Sequence, residues 1–119
     1  MAIAMHDEGG NLFRLEIGGT LQKADFERCQ ADLVTHIVRT GPVKLLFVLK
    51  GFDGWARGDN WSDLSFYIKH GDSIKRIAIV GDERWRSEAL MFAGADLRSA
   101  PVEFFPSAAM ADARAWLSA

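Results

Sequence analysis

Val43-Lys44-Leu45-Leu46-Phe47-Val48-Leu49 decides the fold. Its last five residues are apolar without alternation, which is how a strand buried on both faces reads; such strands are usually central and parallel. A second run of the same kind, Ile74 to Val80, ends in four consecutive apolar residues, Ile77-Ala78-Ile79-Val80. Parallel strands need long crossover connections, and two buried faces need helices to cover them.

Upstream of the first run, Phe26, Cys29, Leu33 and Ile37 recur at helical spacing and form one apolar face. Thr20 is the predicted N-cap of that helix, and Gly41-Pro42 stops it. Before it, Phe13, Leu15 and Ile17 alternate with Arg14 and Glu16, the period of a half-buried strand. Ile3 to Met5 and the turn residues Glu8-Gly9-Gly10-Asn11 complete a hairpin, which Gly18-Gly19 ends.

Downstream of Leu49, the glycine-punctuated stretch Lys50 to Asp59 reads as a long loop. Asn60 then caps a predicted helix with Trp61, Leu64 and Ile68 on one face, ended by His70-Gly71. After the second buried run, Gly81-Asp82 supplies a turn and a cap. Trp85, Ala89 and Phe92 make another stripe, and Gly94 stops it. Pro101 to Phe105 is a last short strand, placed at an edge by its proline. Ser107 is the predicted cap of a final helix carrying Met110, Ala113, Trp116 and Leu117. The order is an N-terminal hairpin followed by alternating helices and strands. It predicts an α/β fold in which helices pack on a mostly parallel sheet through right-handed crossovers. The 119 residues fit a single domain spanning 1–119.

Composition narrows the function classes. Apolar residues make up 49% of the chain, enough for a packed core, and the net charge of −2 offers no footprint for nucleic acid. One cysteine, Cys29, permits no internal disulfide. No apolar run approaches the ~20 residues of a membrane span, and no secretory leader is legible at the start. A cytoplasmic protein without an integral membrane segment is the expectation; peripheral membrane contact stays open.

Open parallel sheets bind ligands beyond the C-terminal ends of their strands. Here that rim collects Phe52, Trp55, Arg57, Asn60, Trp61, Asp82 and Trp85 as candidate ligand-binding residues. An indole offers a broad apolar surface with one N–H donor, suited to a pocket wall. The backbone N–H groups after Asn60 and Asp82 would face an anionic group, and Arg57 and Arg84 would assist. The plainer reading of Trp61 and Trp85 is core packing, because both continue the apolar faces of helices. Trp55 has no periodic partner and is the stronger binding or lid candidate.

Other motifs fail. Gly51, Gly54 and Gly58 lack both the dinucleotide spacing and the Lys-Ser/Thr of a phosphate loop. His6, His36 and His70 are scattered, so no metal site, cofactor site or nucleophile–histidine pair is predicted. No catalytic residue is assigned, and the expected role is non-enzymatic binding.

Leu15-Glu16-Ile17-Gly18-Gly19-Thr20-Leu21, the Gly51 to Trp55 segment, Arg76-Ile77-Ala78-Ile79-Val80-Gly81-Asp82 with Trp85, and the ending Ala113-Arg114-Ala115-Trp116-Leu117 together resemble the SpoIIAA-like family. These are distant relatives of the STAS domains. The resemblance implies a STAS-type fold, a likeness to the lipid-exchange (CRAL-TRIO) domains, and so a lipid-like or other amphipathic ligand. It also implies the alternative of a protein-interaction module that docks a protein partner or forms a homodimer. The phosphorylatable Asp-Ser-Ser-Gly type motif of anti-sigma antagonists is missing from the matching stretch Asp59-Asn60-Trp61-Ser62-Asp63, which argues against a kinase-driven switch.

Overall fold

The computed structural model describes residues 3–58, 61 and 69–119. Five strands, β1 (Ile3–Asp7), β2 (Leu12–Leu21), β3 (Val43–Trp55), β4 (Ile74–Gly81) and β5 (Val102–Pro106), form one sheet in the order β1-β2-β3-β4-β5. β1 runs antiparallel to β2, and every later neighbour is parallel. The run that opened the sequence reading is therefore the central strand, with Leu45, Leu46, Phe47 and Val48 all buried.

Among the described residues three helices cover the sheet: α1 (Lys23–Thr40), α2 (Arg86–Phe92) and α3 (Met110–Ser118). Cys29, Leu33 and Ile37 of α1 and Ala89 of α2 pack on one face, against Phe13, Leu15, Ile17, Leu45, Phe47, Ile77 and Ile79. A sheet whose strand order follows the chain carries its crossover helices on one side when the crossovers share a hand. The other face holds a smaller core, in which Leu46, Val48, Ala78 and Val80 meet Ala113 and Leu117 of α3. At the end of α3, Arg76 donates to the carbonyl of Trp116 and Lys44 to that of Leu117, each at 2.5 Å. Two cations from the starts of β3 and β4 thus bind carbonyls of the last helical turn, where that of Trp116 also accepts from the backbone N–H of Ala119 at 3.3 Å.

Four local expectations are corrected. Thr20 is not the cap of α1: it lies in β2, and Gln22 holds the N-cap position without a side-chain bond. Gly18-Gly19 does not end β2, and Lys50 to Trp55 is not loop but the continuation of β3. The ladder resumes past a pair of irregularities, with Gly19 opposite Phe52, Thr20 opposite Gly54 and Leu21 opposite Trp55. Glycines at positive φ, Gly19 at 58° and Gly51 at 63°, make bulges that bend a continuing strand. Ser107 caps nothing; it begins a short 3-10 turn that leads into α3. The predicted cap Asn60, and with it Asp59, Ser62, Asp63, Leu64 and Ile68, lies outside the described residues. Among the described residues no helix is long and apolar enough to cross a membrane.

Candidate functional site

The extension of β3 delivers the site. Phe52 points into the sheet–helix interface and is buried, while Trp55 three residues later is half-buried. Trp85 comes from the 3-10 turn after β4, where the Asp82 carboxylate accepts a hydrogen bond from the backbone N–H of Arg84 at 3.0 Å. Gly54 gives Trp85 room, since a Cβ there would stand 3.3 Å from the indole. The three rings meet edge to face, with centroids 4.9 Å apart for Phe52–Trp55, 5.1 Å for Phe52–Trp85 and 6.0 Å for Trp55–Trp85. That geometry sets the positive edge of one ring against the negative face of the next. The Arg84 guanidinium lies 4.9 Å above the Trp85 ring.

The aromatic cluster extends beyond the rim. Phe92 of α2 lies 5.4 Å from Trp55, 5.7 Å from Trp61 and 4.9 Å from Phe26 of α1. The two free indoles differ in one respect. Trp61 donates its Nε1 proton to the carbonyl of Ala56 at 3.0 Å. Trp55 Nε1 is buried and has no hydrogen-bond partner among the described residues.

Of the seven candidate residues, Phe52, Trp55, Trp61 and Trp85 therefore join one cluster. Asp82 is exposed and serves as a cap, Arg57 is exposed on the Gly58 turn, and Asn60 is outside the described residues. The space within the rim is small. Ile17, Leu21, Phe52, Trp55 and Ala89 enclose only about 10 Å³, room for roughly one water.

The larger volume lies beside the rim, between α1 and α2. It measures about 140 Å³ and is floored by Leu15, Leu45, Phe47 and Ile77, with Phe26 and Phe92 as walls. Lys23 and Glu27, paired at 3.2 Å, stand at its margin with Arg98. Sequence reasoning missed this cavity, although its signal was present. Cys29, Ala93 and Gly94 are small residues where two helices face each other across the sheet, and small facing side chains leave volume unfilled. Burial pushes the Cys29 thiol above its ordinary pKa, so it is a protonated, weakly polar part of the wall. Among the described residues no group of three or more His, Cys, Asp and Glu side chains is placed to hold a metal.

Comparison with known proteins places this architecture. The model of the SpoIIAA-like family matches residues 12–118. The chain belongs to the SpoIIAA-like family. Among solved structures, this SpoIIAA-like chain is similar to an uncharacterised protein of the DUF3478 family with a SpoIIAA-like fold from Shewanella loihica PV-4, with a TM-score of 0.73 and 24% identity. The match covers 98% of this chain and 92% of that one, and it shows a shared fold. A comparison with curated proteins found no match.

Proposed function

We propose that this SpoIIAA-like domain is a non-enzymatic binding domain for a small lipid-like or otherwise amphipathic molecule. The apolar part of the ligand occupies the cavity between α1 and α2. The observation that carries this reading is a volume of about 140 Å³ whose floor is mainly aliphatic and whose walls include the aromatic side chains Phe26, Trp61 and Phe92. A cavity of that size, with a mainly aliphatic floor and the polar side chains Lys23, Glu27, Gln30 and Arg98 also lining it, has room for a benzene-sized group of about six carbons. The sequence reasoning placed the ligand at the strand rim; of those rim aromatics only Trp61 lines the cavity proposed here.

The test is occupancy. Native mass spectrometry of freshly purified protein should show an excess mass that is lost on denaturation, or a gain in mass with added 1-hexanol. Ala93 is buried and lines the cavity. Ala93→Leu fills the volume and should abolish that gain while the protein remains folded. Undiminished 1-hexanol binding in a folded Ala93→Leu protein would refute the cavity as the site.

A second reading, a protein-interaction module, is favoured by one observation. Met91 and Leu97 beside the same cavity are 77% and 55% exposed, more apolar surface than an isolated side chain presents. A homodimer or partner complex that dissociates on Met91→Lys would support it; a monomer at all concentrations, with no partner captured, would count against it.

A further inference from the structure

At the opposite end of the sheet, where β3 and β4 begin, the surface is hollowed into a groove of about 600 Å³, within the range of small-molecule sites. Among the described residues four cations line it, Lys44, Lys75, Arg76 and Arg98, against one acidic side chain, Asp72. The whole chain carries a net charge of −2, so this is a local reversal of sign. Lys44 and Arg76 each use one donor on the last carbonyls of α3. An ammonium has three donors and a guanidinium five, so helix capping leaves most of both unused. Lys44, Lys75 and Arg76 form no ion pair among the described residues. Lys75 is exposed and has no part in the capping, which therefore does not explain why it converges on the groove.

The groove is not isolated from the cavity. Ile74 and Arg98 line both, so the two volumes abut. Arg98 is anchored there by its Nε, which donates to the carbonyl of Ala93 at 2.6 Å, and Ala93 itself lines the cavity. The cavity and the basic groove are thus neighbours, with the side chains of Ile74 and Arg98 between them.

We propose that the ligand is an amphipathic anion whose apolar group fills the cavity and whose phosphate-monoester type head sits in the groove among Lys44, Lys75, Arg76 and Arg98. This rests on the reading of the cavity as the ligand site and adds the chemistry of the head. Four cations beside the Asp72 side chain and the terminal Ala119 suit a head carrying more than a single charge. The basic groove lies at the strand N-terminal ends, away from the rim where α/β sheets usually bind ligands.

The experiment compares hexyl phosphate, 1-hexanol and inorganic phosphate by amide NMR titration of the whole chain. The expected result is that hexyl phosphate binds at least tenfold more tightly than 1-hexanol at low ionic strength, shifting resonances of both cavity and groove. The advantage should shrink severalfold in 0.5 M salt, where exposed charges are screened. Lys75→Glu should lower hexyl phosphate affinity fivefold or more and leave 1-hexanol affinity unchanged; Arg76→Gln is the second variant. Equal affinity for hexyl phosphate and 1-hexanol would overturn the head site while leaving the cavity reading intact. Inorganic phosphate binding as tightly as hexyl phosphate would overturn the joined ligand, because groove and cavity would then act separately. Failure of both hexyl compounds to shift cavity resonances would overturn the cavity reading and this inference together.

Discussion

Replacing Trp55 and Trp61 in turn by phenylalanine asks what each indole N–H contributes. The two substitutions remove the same atoms from the same aromatic cluster, so the ring-area terms largely cancel in the comparison. Trp61 Nε1 donates to the Ala56 carbonyl, a bond worth roughly 0.5–1.5 kcal/mol net. Trp55 Nε1 is buried without a partner among the described residues, and a buried unpaired donor costs about 1–3 kcal/mol. Trp61→Phe forfeits a made bond, whereas Trp55→Phe removes a penalty. The first should therefore be the more destabilising by about 2 kcal/mol, with Trp55→Phe itself near neutral once the smaller ring is allowed for. Urea unfolding followed by far-UV circular dichroism reads the difference. With a slope of about 2 kcal/mol per molar, the midpoints should differ by roughly 1 M. If Trp55→Phe lowers the midpoint as much as Trp61→Phe, the unpaired indole carries no penalty and the reasoning is wrong.

Three further outcomes follow from the same geometry. A Cβ on Gly18 would stand 2.8 Å from the backbone oxygen of Lys50, so Gly18→Ala must displace a neighbouring strand and should lose about 1–3 kcal/mol in the same urea assay. The Glu8 carboxylate is held below its usual pKa chiefly by the hydrogen bond from Arg114, with burial opposing and the charges of Arg114, Arg14 and His6 assisting. A depressed folded pKa stabilises above the unfolded value near 4.5 and loses that stabilisation as pH falls through the folded value. The difference in melting temperature between wild type and Glu8→Gln, small at pH 7 as for any surface pair, should accordingly shrink as pH falls below 4.5 and vanish once the pH has passed the depressed folded pKa. Cys29 is buried and its thiol pKa raised, so a disulfide reagent at pH 8 should label the native protein more than tenfold slower than the unfolded chain. Equal rates would show that the cavity wall opens freely.

The sheet was legible because burial on both faces erases alternation, and Leu45 to Leu49 and Ile77 to Val80 carry that signature plainly. The stripe Phe26, Cys29, Leu33, Ile37 was equally clear, since an 18-residue helix repeats its pattern several times. What misled was glycine. Gly18-Gly19 and Gly51 to Gly54 each look like the end of a strand, yet the two glycine segments face each other across the β2–β3 ladder and bulge together. A single chain read in order does not reveal that two interruptions are partners. The rim aromatics were found because an indole in a non-periodic segment stands out. The cavity was not, because it is made by what Cys29, Ala93 and Gly94 lack, and because Phe92 reads as ordinary core. The groove was hidden for a third reason: Lys44 on β3, Lys75 and Arg76 on β4 and Arg98 in the segment after α2 are gathered only by the tertiary fold.

The match between strand order and chain order also bears on how the molecule is made. Each strand from β2 onward pairs with the one synthesised immediately before it, so none must wait for a partner yet to leave the ribosome. The growing sheet has a finished side and a free side at every stage. A strand inserted between two existing neighbours, as in doubly wound sheets that fill inward, would have to part a ladder already formed; here each addition simply extends the edge. The edge strand β5 is five residues long and closes on Pro106, which has no N–H to donate, so its end is poorly suited to pair with a further strand.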